Sequence, residues 1–211
     1  MADLPTQCSD WWTLIQSAFD DVCAAHNGGR FAPLLEADLA GYVYHVILLR
    51  LGGDARCIHL DTRVLGVSGN EKYDLVVGTC VDTEERRQLA LDKATADVPD
   101  QVRRFLKSKA ALSVFRPAVR PDLVLEFKFF AAGFTPPQLR EHQVQAVKDV
   151  AKTQALGGIC DEGRGVVLFD DAGYVTPARE SQLLEARGED RNLRIYLFQR
   201  NSAQEMKWRT L

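Results

Sequence analysis

The chain has 211 residues, of which 46% are hydrophobic and 26% are charged, an ordinary composition for a folded globular protein. This length predicts one domain that buries enough surface to fold without a disulfide or zinc staple. The net charge is -3, which argues against a protein that binds nucleic acid through overall positive charge alone. No stretch approaches the roughly 20 apolar residues of a membrane span, so we expect no membrane partner.

The cysteines and histidines argue against a disulfide-rich protein and against a zinc-binding protein. The five cysteines are an odd, scattered set without a Cys-x-x-Cys pair, which predicts reduced thiols rather than a disulfide framework. The four histidines lie far apart and show no zinc-binding spacing. The first ten residues contain no basic region followed by an apolar one, so no secretory signal is expected. These features predict a cytoplasmic protein.

The hydrophobic period predicts the elements in chain order. Apolar residues at helical spacing indicate helices over residues 10–26 and 33–51. The period then changes to alternation, which predicts strands over residues 57–65 and 73–81. The next elements are helices within 83–111, a strand over 121–130, a helix over 135–156, a strand over 165–170, a helix over 177–187 and a strand over 192–200. This order predicts an α/β fold with a mixed central sheet flanked by helices, in a single domain.

The most informative segment is the strand over residues 121–130. Side chains alternate between the two faces of a strand. One face is apolar and must be core, and it consists of Leu123, Leu125, Phe127 and Phe129. The other face carries Asp122, Val124, Glu126 and Lys128. A charged pair on a strand this apolar costs desolvation energy and indicates a function, the alternative being a salt bridge on a solvated face.

Three more polar residues interrupt apolar patterns. Asp74 is the charge in the otherwise apolar strand 73–81, although a strand-end aspartate bonded to a turn amide fits as well. Glu36 heads the apolar stripe of the second helix, where the helix dipole also favours a glutamate. Gln143 takes an apolar position on the stripe of the helix over residues 135–156, where it is either functional or a satisfied buried amide.

The order of these residues along the chain resembles the PD-(D/E)XK nuclease superfamily. A helix carries Glu36, a strand after it carries Asp74, a later strand carries Glu126-x-Lys128, and the helix after that strand carries Gln143. The resemblance covers residues 33–170 and implies a restriction-endonuclease-like fold. Residues 139–143, Leu-Arg-Glu-His-Gln, together with the later Gly157-Gly158, also look like the corresponding helix of Holliday-junction resolvases of that superfamily.

The chain departs from the family pattern in two ways. Tyr73 stands where a proline usually precedes the aspartate. The interval from Asp74 to Glu126 is long for a hairpin, and it implies a helical insertion over about residues 83–111. If Asp74 is not the family's aspartate, Asp61 or Asp122 is the replacement.

The resemblance implies metal-assisted phosphodiester hydrolysis with Mg²⁺, for which Mn²⁺ can substitute. Asp74, Glu126 and the carbonyl of Phe127 would hold the ion, and Glu36 would bind a second ion directly or through water. Lys128 would orient or deprotonate the attacking water, and Gln143 would position that water or Lys128. Hard oxygen ligands of this kind suit Mg²⁺.

Residues 101–120 contain no Asp or Glu and lead directly into the Glu-x-Lys strand. Their cations are Arg103, Arg104, Lys107, Lys109, Arg116 and Arg120. Such a one-sided segment in an acidic chain predicts a phosphate-contacting surface, the alternative being a solvated helix face.

Together these features predict a DNA endonuclease. Two other classes stay open: a catalytically inactive nuclease fold that binds nucleic acid, and a protein-binding domain of the immunity or antitoxin kind. The sequence does not determine the oligomeric state, and a homodimer is one option.

Overall fold

The computed structural model describes residues 8–52, 57–64, 67, 71–80, 118–160 and 163–211. Within these residues the chain forms four α-helices and six β-strands. In chain order they are α1 (Cys8–Asn27), α2 (Glu36–Arg50), β1 (Ile58–Val64), β2 (Tyr73–Cys80), β3 (Ala118–Phe130), α3 (Pro136–Gln154), β4 (Arg164–Asp170), α4 (Pro177–Arg187), β5 (Leu193–Arg200) and β6 (Met206–Thr210).

The six strands form one mixed sheet in the order β1-β2-β3-β4-β5-β6. The β1–β2 and β2–β3 pairs are antiparallel, whereas β3–β4 and β4–β5 are parallel, and β6 adds antiparallel to β5. The strand β3 is therefore where an antiparallel half of the sheet meets a parallel half.

Helices cover both faces of the sheet, which makes three layers. On one face, α1 and α2 pack against the apolar face of β3 that the alternation predicted, including Leu125 and Phe127. On the other face, α3 and α4 pack against Phe130 and the inward side chains of β4 and β5. A smaller cluster on that second face joins Val76 of β2 to Val124 of β3. The predicted α/β class with a mixed central sheet flanked by helices is confirmed.

Most predicted elements exist within a few residues of their expected ends. The largest shifts are of three residues: β3 begins at Ala118 rather than at Pro121, and α2 begins at Glu36 rather than at Pro33. The Asp38 carboxylate accepts the backbone N–H groups of Leu34 and Leu35, each at 2.9 Å, and this cap holds the chain out of the helix until Glu36. The strand β6 lies beyond the predicted elements. The predicted helical insertion over residues 83–111 lies outside the described residues.

In the described part of the chain, no helix is both long enough and apolar enough to cross a bilayer. Among the cysteines whose side chains the structure describes, Cys23, Cys57 and Cys160 are not in disulfides.

Candidate active site

The register of β2 with β3 brings two carboxylates to one place. Leu75 is paired with Leu125 in this antiparallel ladder, so the preceding Asp74 faces Glu126. The Asp74 Oδ2 atom accepts the backbone N–H of Phe127 at 2.7 Å, which fixes the aspartate against β3. The predicted pair of Asp74 and Glu126 therefore meets on one face of the sheet.

Glu126 is the buried member of the pair, with 5% of its surface exposed. Burial, followed by the negative charge of Asp74, raises the pKa of Glu126 to about 8. The Lys152 ammonium from α3 opposes this shift, with its Nζ 2.5 Å from Glu126 Oε1. Lys152 Nζ also donates to the carbonyl of Lys72 at 2.6 Å and lies 4.3 Å from the centre of the Tyr73 ring.

Lys128 lies on the same face of β3, two residues beyond Glu126. Its Nζ is 3.2 Å from Glu36 Oε2 of α2 and 3.2 Å from Asp149 Oδ2 of α3. The other oxygen of Glu36, Oε1, is 3.5 Å from His142 Nδ1. Glu36 reaches this position because β2 begins at Tyr73, so β3 continues past the end of its neighbour and leaves its flank open there.

The two carboxylates around Lys128 decide its charge. Burial by itself lowers the pKa of Lys128, but Asp149 and Glu36 outweigh this effect, and the pKa lies above its ordinary value. Burial also raises the pKa of Asp149, against the opposing effect of the nearby Lys128 ammonium. Lys128 therefore carries its proton at neutral pH, which fits a group that orients water or phosphate better than a group that accepts a proton.

Gln143 is not brought into this group of side chains. Its Nε2 donates to the carbonyl of Arg179 and to Gln182 Oε1, both at 3.3 Å, on the side of α3 that faces α4. Its Oε1 atom is buried and has no hydrogen-bond partner in the described part of the chain. The amide lines a largely apolar groove between α3 and α4. This position does not support the predicted role of Gln143 in positioning Lys128 or water.

Three residues of α3 that the sequence pattern did not single out face the site instead: His142, Asp149 and Lys152. A signal for them exists in the sequence. Positions 142, 145, 149 and 152 are offset by 3, 7 and 10, so they form one polar stripe on the helix, next to the apolar stripe that contains Gln143.

The other predicted residues lie elsewhere. Asp61 pairs with Lys72, and Asp122 is an exposed residue four positions before Glu126 on β3. Of the three candidate aspartates, Asp74 is the one that faces Glu126. Arg120 is exposed near the start of β3. The other five predicted phosphate-contacting cations, from Arg103 to Arg116, lie outside the described residues.

The donor set is compatible with a hard divalent ion, although it is sparse. In the described regions, no three His, Cys, Asp or Glu side chains gather as a ready metal-binding group. Mg²⁺ keeps several waters and is commonly held by one or two carboxylates. The carboxylates of Asp74 and Glu126 are therefore enough protein ligands for this ion. Burial and the Asp74 charge together outweigh the Lys152 ammonium at Glu126, so the pKa of Glu126 stays raised.

Comparisons with protein-family models, with curated proteins and with solved structures found no match for this chain. The function of the chain is therefore inferred from its residues and their geometry.

Proposed function

We propose that this protein is a metal-dependent endonuclease that hydrolyses phosphodiester bonds in DNA. One observation carries the proposal: Asp74 and Glu126 face each other on adjacent strands, and Lys128 follows on the same face of β3. Two oxygen ligands beside a protonated amine form a site suited to a divalent ion and a phosphate. The resemblance to the PD-(D/E)XK nucleases supports the same chemistry.

Each residue has a distinct task in this proposal. Asp74 and Glu126 would hold Mg²⁺, with the carbonyl of Phe127 as a further oxygen ligand. When bound there, the ion would supply Lewis-acid polarisation of the phosphate. Lys128 donates a hydrogen bond to the attacking water or to a phosphate oxygen. The water oxygen bonds to phosphorus and gives up a proton to solvent, one ester P–O bond breaks, and the departing sugar oxygen takes up a proton from solvent.

DNA as the substrate is supported by the sequence of residues 101–120, which carry six cations and no acid. These residues lead into β3, the strand that carries Glu126 and Lys128. A cationic segment next to a phosphate-cleaving site matches the negative charge of a nucleic-acid backbone.

The decisive experiment incubates supercoiled plasmid with the full chain in Mg²⁺, Mn²⁺, Ca²⁺ or EDTA. We expect nicking or linearisation with Mg²⁺ and Mn²⁺ and none with Ca²⁺, which binds such ligands with looser geometry. Asp74→Ala and Glu126→Ala should abolish cleavage, and Lys128→Ala should lose rate but keep metal binding. Glu189→Ala, which removes an exposed carboxylate after α4, is the matched control and should cleave normally.

Two results would contradict the proposal. Equal cleavage in EDTA would exclude a divalent ion from the reaction. Undiminished Mn²⁺ binding by the double variant of Asp74 and Glu126, measured by calorimetry, would place the metal elsewhere.

A further inference from the structure

The Lys128 ammonium lies between carboxylates that come from opposite faces of the sheet. Glu36 is the first residue of α2, which covers one face, and Asp149 belongs to α3, which covers the other. Each contacts Lys128 Nζ at 3.2 Å. The lysine side chain is only 12% exposed, so few other positions are open to it.

Two carboxylates define the position of a lysine better than one. A lysine stem is flexible, and a single partner lets the ammonium swing around that contact. Contacts from two sides remove this freedom. The Lys128 ammonium donates a hydrogen bond to Glu36 Oε2 and forms an ion pair with Asp149.

Both oxygens of Glu36 face nitrogen atoms of the protein. Its Oε2 atom accepts from Lys128, and Oε1 faces His142 Nδ1 at 3.5 Å. A carboxylate that is paired with an ammonium at one oxygen and faces an imidazole nitrogen at the other is a poor ligand for an additional metal ion. This arrangement differs from the role as a second-ion ligand that the family resemblance implies for Glu36.

We infer that Glu36 and Asp149 are positioning residues that clamp the Lys128 ammonium beside the Asp74–Glu126 pair, and that Glu36 does not bind a second metal ion. The inference rests on the proposed function, because the clamp serves a lysine that acts on a phosphate or its attacking water. It assigns the site one divalent ion, with the clamped ammonium as a fixed neighbouring cation.

The test compares the full-length wild type with Glu36→Gln and Asp149→Asn, each of which keeps the side-chain shape and removes one charge. Glu141→Gln is the matched control, because Glu141 is an exposed carboxylate on α3, the helix that carries Asp149. Thermal unfolding checks that each variant folds, and the two clamp variants are tested separately so that either one is informative.

The first readout is the ¹H–¹⁵N nuclear magnetic resonance signal of the Lys128 ammonium, recorded without metal and assigned by its loss in Lys128→Met. An ammonium held in ion pairs exchanges slowly enough to be seen. We expect the signal in wild type and Glu141→Gln, and its loss or broadening in both clamp variants. An unchanged signal in both clamp variants would overturn the inference.

The second readout is Mn²⁺ binding by calorimetry. We expect one ion per chain, with the dissociation constant of both clamp variants within about threefold of wild type, since neither carboxylate would be a ligand of the ion. A stoichiometry that falls from two to one in Glu36→Gln, or a loss of affinity of tenfold or more, would make Glu36 a ligand and overturn the inference.

The third readout is the kinetics of DNA cleavage. A misplaced Lys128 should lower kcat by about tenfold or more while KM changes little, because Lys128 acts on the reacting groups. A purely structural clamp would leave kcat unchanged, and that result would overturn the assigned role. Failure of wild type to bind Mn²⁺ would contradict the nuclease proposal itself, and it is distinguishable because the ammonium signal is read without metal.

Discussion

Glu126 has the most perturbed environment among the site residues. It is buried on a central strand, faces the carboxylate of Asp74, and has one direct cationic contact, Lys152, among the described residues. Burial and Asp74 together make its protonated form easier to accommodate than its ionised form. A buried carboxylate with this balance responds strongly to protons and to divalent ions alike.

The raised pKa of Glu126 predicts how stability changes with pH. Its pKa is about 8 in the folded protein, above the ordinary value of 4.5, so the folded state binds this proton more tightly. The resulting stabilisation is complete below pH 4.5 and is lost as pH rises through 8. In EDTA, the Tm of wild type should therefore fall by several degrees more between pH 5 and pH 9 than the Tm of Glu126→Gln.

Thermal unfolding of the two proteins across this pH range, followed by circular dichroism, measures the difference. Because both proteins share every other titrating group, the gap between the two curves isolates Glu126. Parallel curves would show that Glu126 titrates near its ordinary pKa.

At this scale, alternation along a strand is enough to predict that Glu126 and Lys128 share a face. The sequence does not predict that Asp149 and Lys152 face the site, because α3 has an apolar and a polar stripe. Nothing in the sequence pattern says which of the two stripes α4 covers. The structure shows α4 over the stripe of Gln143, which leaves the polar stripe for the site.

At the scale of elements, the pairing of β2 with β3 brings the site residues together. A β-bulge interrupts this pairing. The register shifts between Val77 and Gly78, so Gly78 is paired with Pro121. A Cβ atom at Gly78 would lie 2.1 Å from the carbonyl oxygen of Arg120, which is backbone and cannot move aside easily. The bulge therefore requires glycine for close approach of the two strands.

Gly78→Ala is expected to destabilise the protein by about 1–3 kcal/mol, the typical cost of overpacking, because β2 or β3 must shift to admit the methyl group. Gly133→Ala is the control, since a Cβ there meets nothing within 4 Å. Urea unfolding of both variants measures the effect, and the control should lie within about 0.5 kcal/mol of wild type. Equal midpoints for the two variants would mean that the close approach at Gly78 does not exist in solution.

The sequence pattern predicts the existence of the elements better than their ends. Pro33 is a good first residue for a helix, yet the Asp38 cap starts α2 three residues later. The strand β6 is harder still to predict, because a five-residue edge strand with polar positions shows no clear hydrophobic period. Its order comes from tertiary contacts, such as the packing of Trp208 against Phe19 and Tyr196.

At the scale of the whole molecule, the charge is slightly negative and unevenly distributed. The net charge is -3, while residues 101–120 contain six cations and no acid. A weakly acidic protein that binds DNA must do so through such a local concentration of positive charge. The mixed sheet flanked by helices was predictable from the change in hydrophobic period, whereas the path of residues 101–117 lies outside the described residues.

We predict that the salt dependence of DNA binding comes from this segment. Each phosphate that a cation neutralises releases counterions, so affinity falls with salt at a slope of roughly -0.9 per contact. Changing Arg103, Arg104 and Lys107 together to serine should weaken binding on every sequence and flatten the slope by about two to three units. A salt titration in Ca²⁺, in which no cleavage is expected, measures this slope.

A triple variant of exposed cations elsewhere controls for the loss of overall charge. Arg140, Lys148 and Arg191 are suitable because each is exposed and distant in sequence from residues 101–120. An equal flattening in both triple variants would mean that general charge, rather than the segment, sets the salt dependence.

The position of Lys152 on α3 also bears on how the chain assembles. Pairing β2 with β3 brings the carboxylates of Asp74 and Glu126 together, and like charges in a buried place oppose that pairing. The ammonium that compensates them belongs to a helix that follows β3 in the chain. The paired carboxylates gain this compensating charge only when α3 packs against the sheet, so the pairing of β2 with β3 and the docking of α3 favour each other.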